Sequence, residues 1–579
     1  MSVFRVWAPR SRRVEVEIDG RTVAMHEAGA GWWQADIAQA GPGIDYAFRL
    51  DGGPPIPDPR SPWQPNGPMK PSRVLDHHAF AWSDRNWQSR PLSSAIIYEL
   101  HTGTFTPEGT FEAIIGKLDY LSDLGITHIE LMPINEFDGH RGWGYDGVAI
   151  FAPFHGYGGP VGLKRLVDAC HAKGIGVILD VVYNHFGPSG CFLGQFGPYF
   201  TDRHKTPWGE AVNFDGRDSD EVRRFVIDNA LMWLRHYHMD GLRLDGIHAI
   251  LDSSAMHILE ELAEEVQELS TRLGRHLFLI AESDLNDPRV VHSREVGGYG
   301  IDAQWSDDFH HTLHVTLTGE RVGYYADFDG LPDLAYILQH AFLYDGRYSV
   351  FRGRRYGRPT LGLSGHRFLA YMQNHDQIGN RARGERISHL VNLDRVRMGA
   401  ALVLTSPFVP MIFQGEEWAA GSPFQYFTGF EDPELGRAVR EGRRSEFASF
   451  GWKPEDVPDP QSPDTFARSK LDWGEPGREP HASMLRWYRD LIGLRRRCGE
   501  LSNGNMTATQ TRCDERAGWL AVRRGHVALA FNFSTHPLTV PLGPGSATHV
   551  LLSSKPDVRL DGDSVHLPPE TVVMLGPPG

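Results

Sequence analysis

Residues 241–250 read GLRLDGIHAI, and this stretch decides the fold of the chain. Apolar residues alternate with Arg243 and lead to a carboxylate, Asp245, which is typical of a buried β-strand with a functional group at its C-terminal end. The same form recurs in GVILDVVYNH (176–185), FLIAES (278–283) and AYMQNHDQIGN (370–380). In an α/β barrel the C-terminal ends of the strands form one rim that carries the active site. The repetition therefore predicts a barrel with acids and histidines on its rim.

Strands and helices alternate from about residue 95 onward. Apolar residues at 163, 166, 167 and 170 have helical spacing, and the strand GVILDVVY follows them. Strands are predicted near residues 96, 128, 176, 241, 277, 301, 369 and 409. Alternation of this kind indicates βα units and a parallel sheet. Eight such units favour an α/β fold of the (β/α)8 TIM-barrel type over an open sheet.

The two ends of the chain predict separate β domains. Alternating apolar residues at 14–18 and 46–50 indicate an N-terminal β-sandwich over residues 1–90. The catalytic barrel is expected over residues 91–498, with an insertion at about 420–480. Alternation at 527–533 indicates a small C-terminal β-sandwich over residues 499–579.

Composition narrows the class of partner and the location. With 58 basic and 73 acidic residues the formal net charge is −15, which argues against nucleic acid or an anionic membrane as a partner. The four cysteines are scattered without a CxxC pair, so neither a zinc site nor a disulfide framework is indicated. The opening MSVFRVWAPR does not resemble a secretory leader, and we expect a cytoplasmic protein.

Two of the rim carboxylates suit the cleavage of a glycosidic bond, which needs one carboxyl as acid and another as nucleophile. Arg243 lies two residues before Asp245, hence on the same side of the strand, where its charge would keep that carboxylate ionised. A purely structural Arg–Asp pair is the competing interpretation. Glu282 ends a strongly apolar strand, so partial desolvation would raise its pKa and suit it to general acid catalysis.

Other polar residues on the rim suit a sugar substrate. Asp376 would accept sugar hydroxyls and favour the positive charge of an oxocarbenium-like transition state. His375 and His185 could hydrogen-bond hydroxyls of the same sugar, although single histidines are more often core residues.

Aromatic and polar side chains at the strand ends predict a carbohydrate groove. Aromatic faces stack on sugar rings, although any one of these rings could simply cover the barrel. The groove residues predicted on this basis are Trp143, Tyr145, Trp305, Asp307, Asp308, Phe309, His310 and His311, with a further aromatic cluster at 418–427.

A metal-dependent hydrolase is the alternative chemistry. The acids and histidines of the rim could form an amidohydrolase-like metal centre. The His-x-His expected after the first strand is missing, because that strand leads into YELHTGTF (98–105). Metal-dependent hydrolysis is therefore the weaker interpretation.

Four segments resemble the signature regions of the α-amylase-type glycoside hydrolases, in order and with suitable spacing: DVVYNH, GLRLDGIH, AES and QNHDQ. The resemblance extends from about residue 95 to 420, and it implies that the N-terminal β domain is an accessory domain of carbohydrate-binding type. It implies that Asp245 is the nucleophile, Glu282 the general acid/base and Asp376 the transition-state stabiliser. Asn184 matches a position that binds calcium in secreted members, but no acidic cluster supports it, so we expect no required metal and no cofactor.

The same resemblance implies that residues on either side of these acids bind the sugar. The substrate-binding residues expected in this way, besides the groove residues above, are Asp180, His185, Arg243, Leu244, Gly246, Ile247, His248, His375, Gln377, Ile378, Gly379 and Asn380.

Within the family, further segments are similar to the members that act on maltooligosyltrehalose, an α-1,4-glucan oligosaccharide with a terminal trehalose. They are RGWGYDGVAIFAP (141–153), GPYFTDRHKTPWGEAVNFDG (197–216), QWSDDFHH (304–311) and EDPELGRAVREGRRSEFASFGW (431–452). The resemblance implies retaining hydrolysis of the α-1,4 bond next to the trehalose, and pairing with the synthase that makes this substrate. A glycogen branching or debranching enzyme, or a non-catalytic glycan-binding barrel, are the alternatives.

Overall fold

The computed structural model describes residues 2–38, 40–448, 452–543 and 549–577. Residues 449–451, within the predicted insertion, and residues 544–548, within the predicted C-terminal domain, lie outside the described residues. In the described part of the chain no helix is long and apolar enough to cross a membrane.

Eight parallel strands close into a barrel, as the alternation of strands and helices predicts. Each strand pairs with the next in the chain, and the eighth pairs with the first. In chain order the barrel strands are Ile97–Leu100, His128–Leu131, Gly176–Val181, Gly241–Leu244, Phe278–Ala281, Ala303–Trp305, Phe368–Ala370 and Val409–Phe413. The predicted (β/α)8 barrel is confirmed.

The strands are buried on both faces, which is why they read as nearly continuous apolar runs. Their inward-facing residues include Ile178, Phe278, Ile280 and Leu369, which form an apolar cluster within the barrel. This packed interior supports the polar rim above it.

Helices cover the outside of the barrel. The helix Ile258–Leu273 shows why these segments are helical: its apolar residues share one buried face, two glutamates lie in its first turn, and Gly274 ends it with φ +61°. The principal helices in chain order are Leu118–Leu124, Gly159–Ala172, Asp220–His236, Ile258–Leu273, Asp307–Thr318, Leu331–His340, Leu393–Thr405, Pro433–Ala448 and His481–Arg497.

The N-terminal strands form two antiparallel sheets that pack on each other, with Phe4 of one sheet edge-on to Tyr46 of the other. Their members are Ser2–Trp7, Trp32–Ile37 and His26–Gly29 in the first sheet, and Arg21–Ala24, Val14–Ile18, Asp45–Leu50 and Ser72–Arg73 in the second. A β domain at the N-terminus is therefore confirmed.

The C-terminal strands also form two antiparallel sheets. Ala530 and Val573 of the larger sheet pack against Val540 and Val565 of the smaller one. The larger sheet contains Thr509–Asp514, Trp519–Arg524, Val527–Asn532, Thr571–Gly576 and His549–Ser553, and the smaller contains Leu538–Pro541, Ser564–Leu567 and Arg559–Asp561. The second predicted β domain is present.

Candidate active site

The fourth barrel strand brings an arginine between two carboxylates. Asp180 is the register partner of Arg243 on the neighbouring third strand, and Asp245 follows the end of the fourth. The Arg243 Nη1 donates to both Asp180 oxygens, at 2.9 and 2.8 Å, and to Asp245 Oδ1 at 2.7 Å. The Arg243 guanidinium is buried and its Cζ lies 4.2 Å from the centroid of the Trp305 ring.

This surrounding charge decides the protonation of Asp245. Burial alone would raise the pKa of the Asp245 carboxyl, but the charge of Arg243 and a hydrogen bond from Asn184 lower it below its usual value. The Asn184 Nδ2 donates to the Asp245 backbone oxygen and to Oδ2, both at 2.8 Å. The side chain is therefore an ionised carboxylate with a fixed orientation.

Glu282 follows the fifth strand, on the other side of the same arginine. Arg243 Nη2 lies 3.6 Å from Glu282 Oε2, and the Gly246 N–H donates to that oxygen at 2.5 Å. Burial raises the pKa of Glu282 well above its usual value, and the charges of Asp245, Asp307 and Asp376 add to the effect although Arg243 opposes it. Glu282 is therefore a neutral acid near an ionised carboxylate.

Gly246 lies between these two acids and has no room for a side chain. Its φ is +47°, and a Cβ there would be 2.6 Å from the amide nitrogen of Asn184. A glycine at this position lets the chain turn sharply after Asp245 and aim its own N–H at Glu282.

Asp376 comes from the seventh strand, at the start of the short helix His375–Gly379. Asn374 caps that helix, its Oδ1 accepting from the Asp376 N–H at 2.9 Å and the Gln377 N–H at 3.2 Å. The Asn380 Nδ2 donates to Asp376 Oδ1 at 2.6 Å. The Asp376 carboxylate is exposed at the mouth of the barrel.

A hydrogen-bonded chain joins Asp180 to the first strand. Tyr145 Oη donates to Asp180 Oδ2 at 2.6 Å and lies 2.8 Å from His375 Nε2. The other imidazole nitrogen and the backbone N–H of His375 bind the buried carboxylate of Glu99. Burial alone would lower the pKa of His375, but Glu99 raises it above its usual value, so the imidazolium donates to both neighbours.

Glu99 and Trp208 are site residues that the sequence reasoning missed. Glu99 could have been found, because it follows Ile97 at period two and puts an acid inside an apolar strand. Trp208 lies between the paired strands Phe200–Thr206 and Gly209–Val212, where its ring stacks on His185 at 4.4 Å. Its only sequence signal is a lone tryptophan in a polar stretch.

A cavity of about 440 Å³ opens beside Asp376. Aromatic and charged side chains both line it, among them Asp307, His311, Tyr324, Phe351, Arg352 and Trp452. Asp307 accepts a hydrogen bond from Tyr371 at 2.5 Å, and burial raises its pKa to about 7. The cavity therefore offers hydrogen-bonding groups and ring faces together.

Three of the predicted groove residues have side chains that turn away from this cavity. Asp308 accepts from the backbone N–H groups of residues 343 and 344, Phe309 packs on Phe408, and His310 Nδ1 bonds the Met372 carbonyl. These three side chains are buried and support the structure around the cleft.

The remaining predicted residues fall into two groups. Leu244, Ile247 and Ile378 are buried apolar side chains, and Gly379 lies so close to Trp143 that a Cβ would be 2.0 Å from the indole ring. Polar residues at the mouth form the second group, in which Gln377 and Asn380 line the cavity and His248 is exposed.

Trp143 helps to build the rim rather than standing free in it. The indole stacks on Phe424 at 5.3 Å and donates from Nε1 to the Gln425 carbonyl at 3.0 Å. Within the described ranges, no group of three or more His, Cys, Asp or Glu side chains is arranged to hold a metal ion.

Barrel and rim acids together have the architecture of the α-amylase class of glycoside hydrolases. A family model described as the alpha amylase catalytic domain matches residues 77–193, and one described as a domain of unknown function (DUF3459) matches residues 505–574. A solved structure of a putative alpha amylase from Salmonella typhimurium superposes with a TM-score of 0.91 at 39% identity, covering 99% of this chain and 97% of that one.

Curated relatives identify the family within this class. The chain is 49% identical to the malto-oligosyltrehalose trehalohydrolase of Rhizobium sp. (strain M-11), over 99% of this chain and 97% of the relative. It is 48% identical to the enzyme of the same name from Mycobacterium tuberculosis (strain ATCC 25618 / H37Rv), over 94% of each. The chain therefore belongs to the malto-oligosyltrehalose trehalohydrolase family. These relatives do not favour a branching or debranching enzyme, or a non-catalytic barrel.

Proposed function

We propose that the protein hydrolyses the α-1,4-glucosidic bond next to the trehalose end of maltooligosyltrehalose, with net retention at the anomeric carbon. The observation that carries the proposal is the Arg243 guanidinium, which binds Asp245 while Glu282 stays neutral nearby. One ionised and one neutral carboxyl are what a retaining glycosidase needs. The names of the relatives support the choice of substrate.

In the first step an Asp245 oxygen attacks the anomeric carbon of the glucose next to the trehalose. The glycosidic C–O bond breaks, and its electron pair goes to the leaving oxygen, which takes the proton of Glu282. Trehalose leaves, and the maltooligosaccharide remains as a β-linked ester of Asp245.

In the second step Glu282, now a carboxylate, removes a proton from a water molecule that attacks the same carbon. The ester bond breaks and Asp245 recovers its charge beside Arg243. Two inversions at one carbon give net retention, so the new reducing end is an α-anomer.

Other residues act on the sugar without forming bonds to its reacting carbon. We assign Asp376 to the stabilisation of positive charge in the transition state, and Asp180 and His185 to sugar hydroxyls. Both ring nitrogens of His375, which was expected to bind the sugar, already bind Tyr145 and Glu99, so this side chain positions Tyr145 instead. The imidazolium of His375 keeps its orientation through Glu99, so its hydrogen bond to Tyr145 is fixed before substrate arrives.

The cavity beside Asp376 is our proposed site for the trehalose unit. Its volume of about 440 Å³ lies in the range of small-molecule sites. Carboxylates of Asp307 and Glu320 can accept from hydroxyls, and the rings of Tyr324 and Trp452 can stack on the sugar faces.

We also propose the wider assignment that goes with this activity. Residues 1–90 are an accessory domain, 91–498 the catalytic barrel and 499–579 a C-terminal domain. A maltooligosyltrehalose synthase supplies the substrate.

The test is incubation of the protein with maltooligosyltrehalose and, separately, with amylose and with glycogen. Maltooligosyltrehalose has no reducing end, so each cleavage creates one and releases one free trehalose. We expect equal amounts of both products, and little change in amylose or glycogen. The Asp245→Asn variant is the matched control for contaminating activity. New α-1,6 branches in amylose, or reducing ends without trehalose, would overturn the proposal.

A further inference from the structure

The helix Pro433–Ala448, in the long segment after the eighth strand, lies beside the mouth of the barrel. Its Arg443 turns toward the site, with a side chain only 11% exposed. The guanidinium Cζ lies 5.0 Å from the Tyr426 ring centroid and 4.6 Å from that of Phe447. Two aromatic faces therefore hold the charged group in place.

Arg443 binds the turn that carries Asp376. Its Nη2 donates to the backbone carbonyl of Gly379, and its Nη1 donates to Asn380 Oδ1 at 2.9 Å. Glu446 on the same helix accepts from the guanidinium at 3.1 Å. The arginine thus connects the inserted helix to the C-terminal end of the short helix His375–Gly379.

These contacts fix which way the Asn380 amide points. Because an arginine can only donate, the amide oxygen of Asn380 must face Arg443. The amide nitrogen then faces Asp376, and it donates to Asp376 Oδ1 at 2.6 Å. If Asn380 turned over, its oxygen would face a carboxylate oxygen and the hydrogen bond would be lost.

We propose that Arg443 and Asn380 are positioning residues, which hold the Asp376 carboxylate in its working orientation through the chain Arg443–Asn380–Asp376. The inference rests on the proposed role of Asp376 in the reaction. The long segment after the eighth strand thereby contributes to catalysis, because its Arg443 orients the Asn380 amide at the rim.

Single substitutions test the chain through its effect on turnover. Asn380→Ala is expected to lower kcat about 10- to 100-fold, since it removes a hydrogen bond to a charged group. Arg443→Ala is expected to lower kcat about 5- to 20-fold, because the Asn380 amide is still present but its orientation is no longer fixed. KM should change less than about threefold in both, since the lost interaction acts mainly in the transition state.

Conservative and double variants separate positioning from general damage. Arg443→Lys keeps one donor and should recover part of the kcat lost in R443A. Adding R443A to N380A should lower kcat by less than about twofold, because both residues act through one hydrogen bond. The control is Arg437→Ala on the same helix, where the side chain is 62% exposed and pairs with Glu434. R437A should keep wild-type kcat.

Asn380→Asp gives a pH readout that a merely structural role would not produce. The introduced carboxyl lies between Arg443, which favours its ionised form, and Asp376, which opposes it. As a neutral acid it can donate to Asp376; once ionised, it repels Asp376 and pairs only with Arg443. The kcat of N380D relative to wild type should therefore fall as the pH rises through the pKa of the introduced carboxyl.

The outcomes distinguish this inference from the function it rests on. If Asp376→Asn keeps wild-type kcat, the proposed role of Asp376 is wrong. If D376N is inactive while N380A, R443A and N380D keep wild-type kcat and melting temperature, only the positioning chain is wrong. If R443A does not fold, R443K and N380D decide, and wild-type kcat with an unchanged pH profile in both overturns the inference.

Discussion

Two pairs of acids in the described part of the chain, each near an arginine, differ in what surrounds them. Asp245 and Glu282 form the rim pair, with side chains 14% and 20% exposed to the mouth of the barrel. Glu416 and Glu417 form the enclosed pair after the eighth strand, at 2% and 0% exposure. Only the rim pair can be reached by a substrate.

The arginines act differently in the two places. Arg243 donates to the carboxylate of Asp245, and therefore separates the two rim acids into one ionised and one neutral group. Arg386, beside the enclosed pair, donates instead to the backbone carbonyls of residues 414 and 422. An arginine near two acids therefore indicates a catalytic pair only where it bonds one acid and leaves the other neutral.

Tyrosines take the place of an arginine in the enclosed pair. Tyr98 and Tyr120 donate to Glu417 at 3.0 and 2.8 Å, and Tyr488 donates to Glu416 at 2.9 Å. Burial raises the pKa of Glu416 to about 8 and that of Glu417 to about 7, although the tyrosine bonds oppose it. The pKa values of both acids are raised together, so neither carboxyl serves as a nucleophile.

The largest expected effect is at the ionised member of the rim pair. Asp245→Asn removes the nucleophile without changing the shape of the side chain, and kcat should fall by about 10⁴-fold or more. Initial rates of reducing-end release measure it, with Glu417→Gln as the matched control. A D245N variant that keeps a tenth of wild-type activity would contradict the assignment.

The second effect concerns the neutral member. Glu282→Gln removes the proton donor and should lower kcat about 10²- to 10⁴-fold. Because the pKa of Glu282 is raised, wild-type kcat should fall on the alkaline side, as the pH rises through that pKa. Because the pKa of Asp245 is lowered, wild-type kcat should fall on the acid side only in strong acid. The kcat–pH profile of E282Q should lack the alkaline fall. An unchanged profile would show that another group is the acid.

A smaller effect is expected beside the rim pair. Tyr145→Phe removes the hydroxyl that donates to Asp180 at 2.6 Å and accepts from His375. The loss of these two hydrogen bonds, each with a charged group, should lower kcat about 10-fold. Melting temperature and kcat together check this, since a variant that loses stability but not turnover would show that Tyr145 only supports the fold.

The smallest effect on turnover is expected in the enclosed pair, where stability should respond instead. Glu416→Gln should keep kcat within about twofold, because no substrate reaches Glu416. Because the pKa of Glu416 is raised in the folded protein, its neutral form stabilises the fold. This contribution is fully present below the pKa of the unfolded state, about 4.3, and is lost as the pH rises through about 8.

Thermal unfolding at about pH 5 and about pH 8 measures that change in stability. Wild type should lose stability relative to E416Q at up to about 1.4 kcal/mol per pH unit across this window. Parallel melting curves for the two proteins at both pH values would contradict the picture of a neutral, enclosed Glu416.

Much of the fold and the rim acids could be predicted from sequence, because both depend on local periodicity. Each barrel strand is a short apolar run, and parallel strands with crossover helices bring the C-terminal ends to one rim. Asp245, Glu282 and Asp376 each follow such a run, so their meeting at one end of the barrel follows from the strand count alone.

Which side chains of a helix face the cavity depends on the residue at which the helix begins, and that residue could not be predicted from the sequence. The pattern in QWSDDFHH predicts groove residues without showing which of them share a face, and the structure begins the helix at Asp307. Residues one turn apart share a face, so Asp307 and His311 line the cavity while the three between them turn away. Arg443 was missed for another reason: it reaches Asn380 across 63 positions of the chain, and no local pattern relates them.

The most direct test of the central claim is the anomeric configuration of the maltooligosaccharide at the moment of release. Proton NMR during the first minutes of maltooligosyltrehalose hydrolysis distinguishes the two anomers before they interconvert. The rim pair of one ionised and one neutral carboxyl predicts that the α-anomer appears first, by double displacement through an ester of Asp245. Initial release of the β-anomer would mean direct attack by water, and would contradict the role given to Asp245.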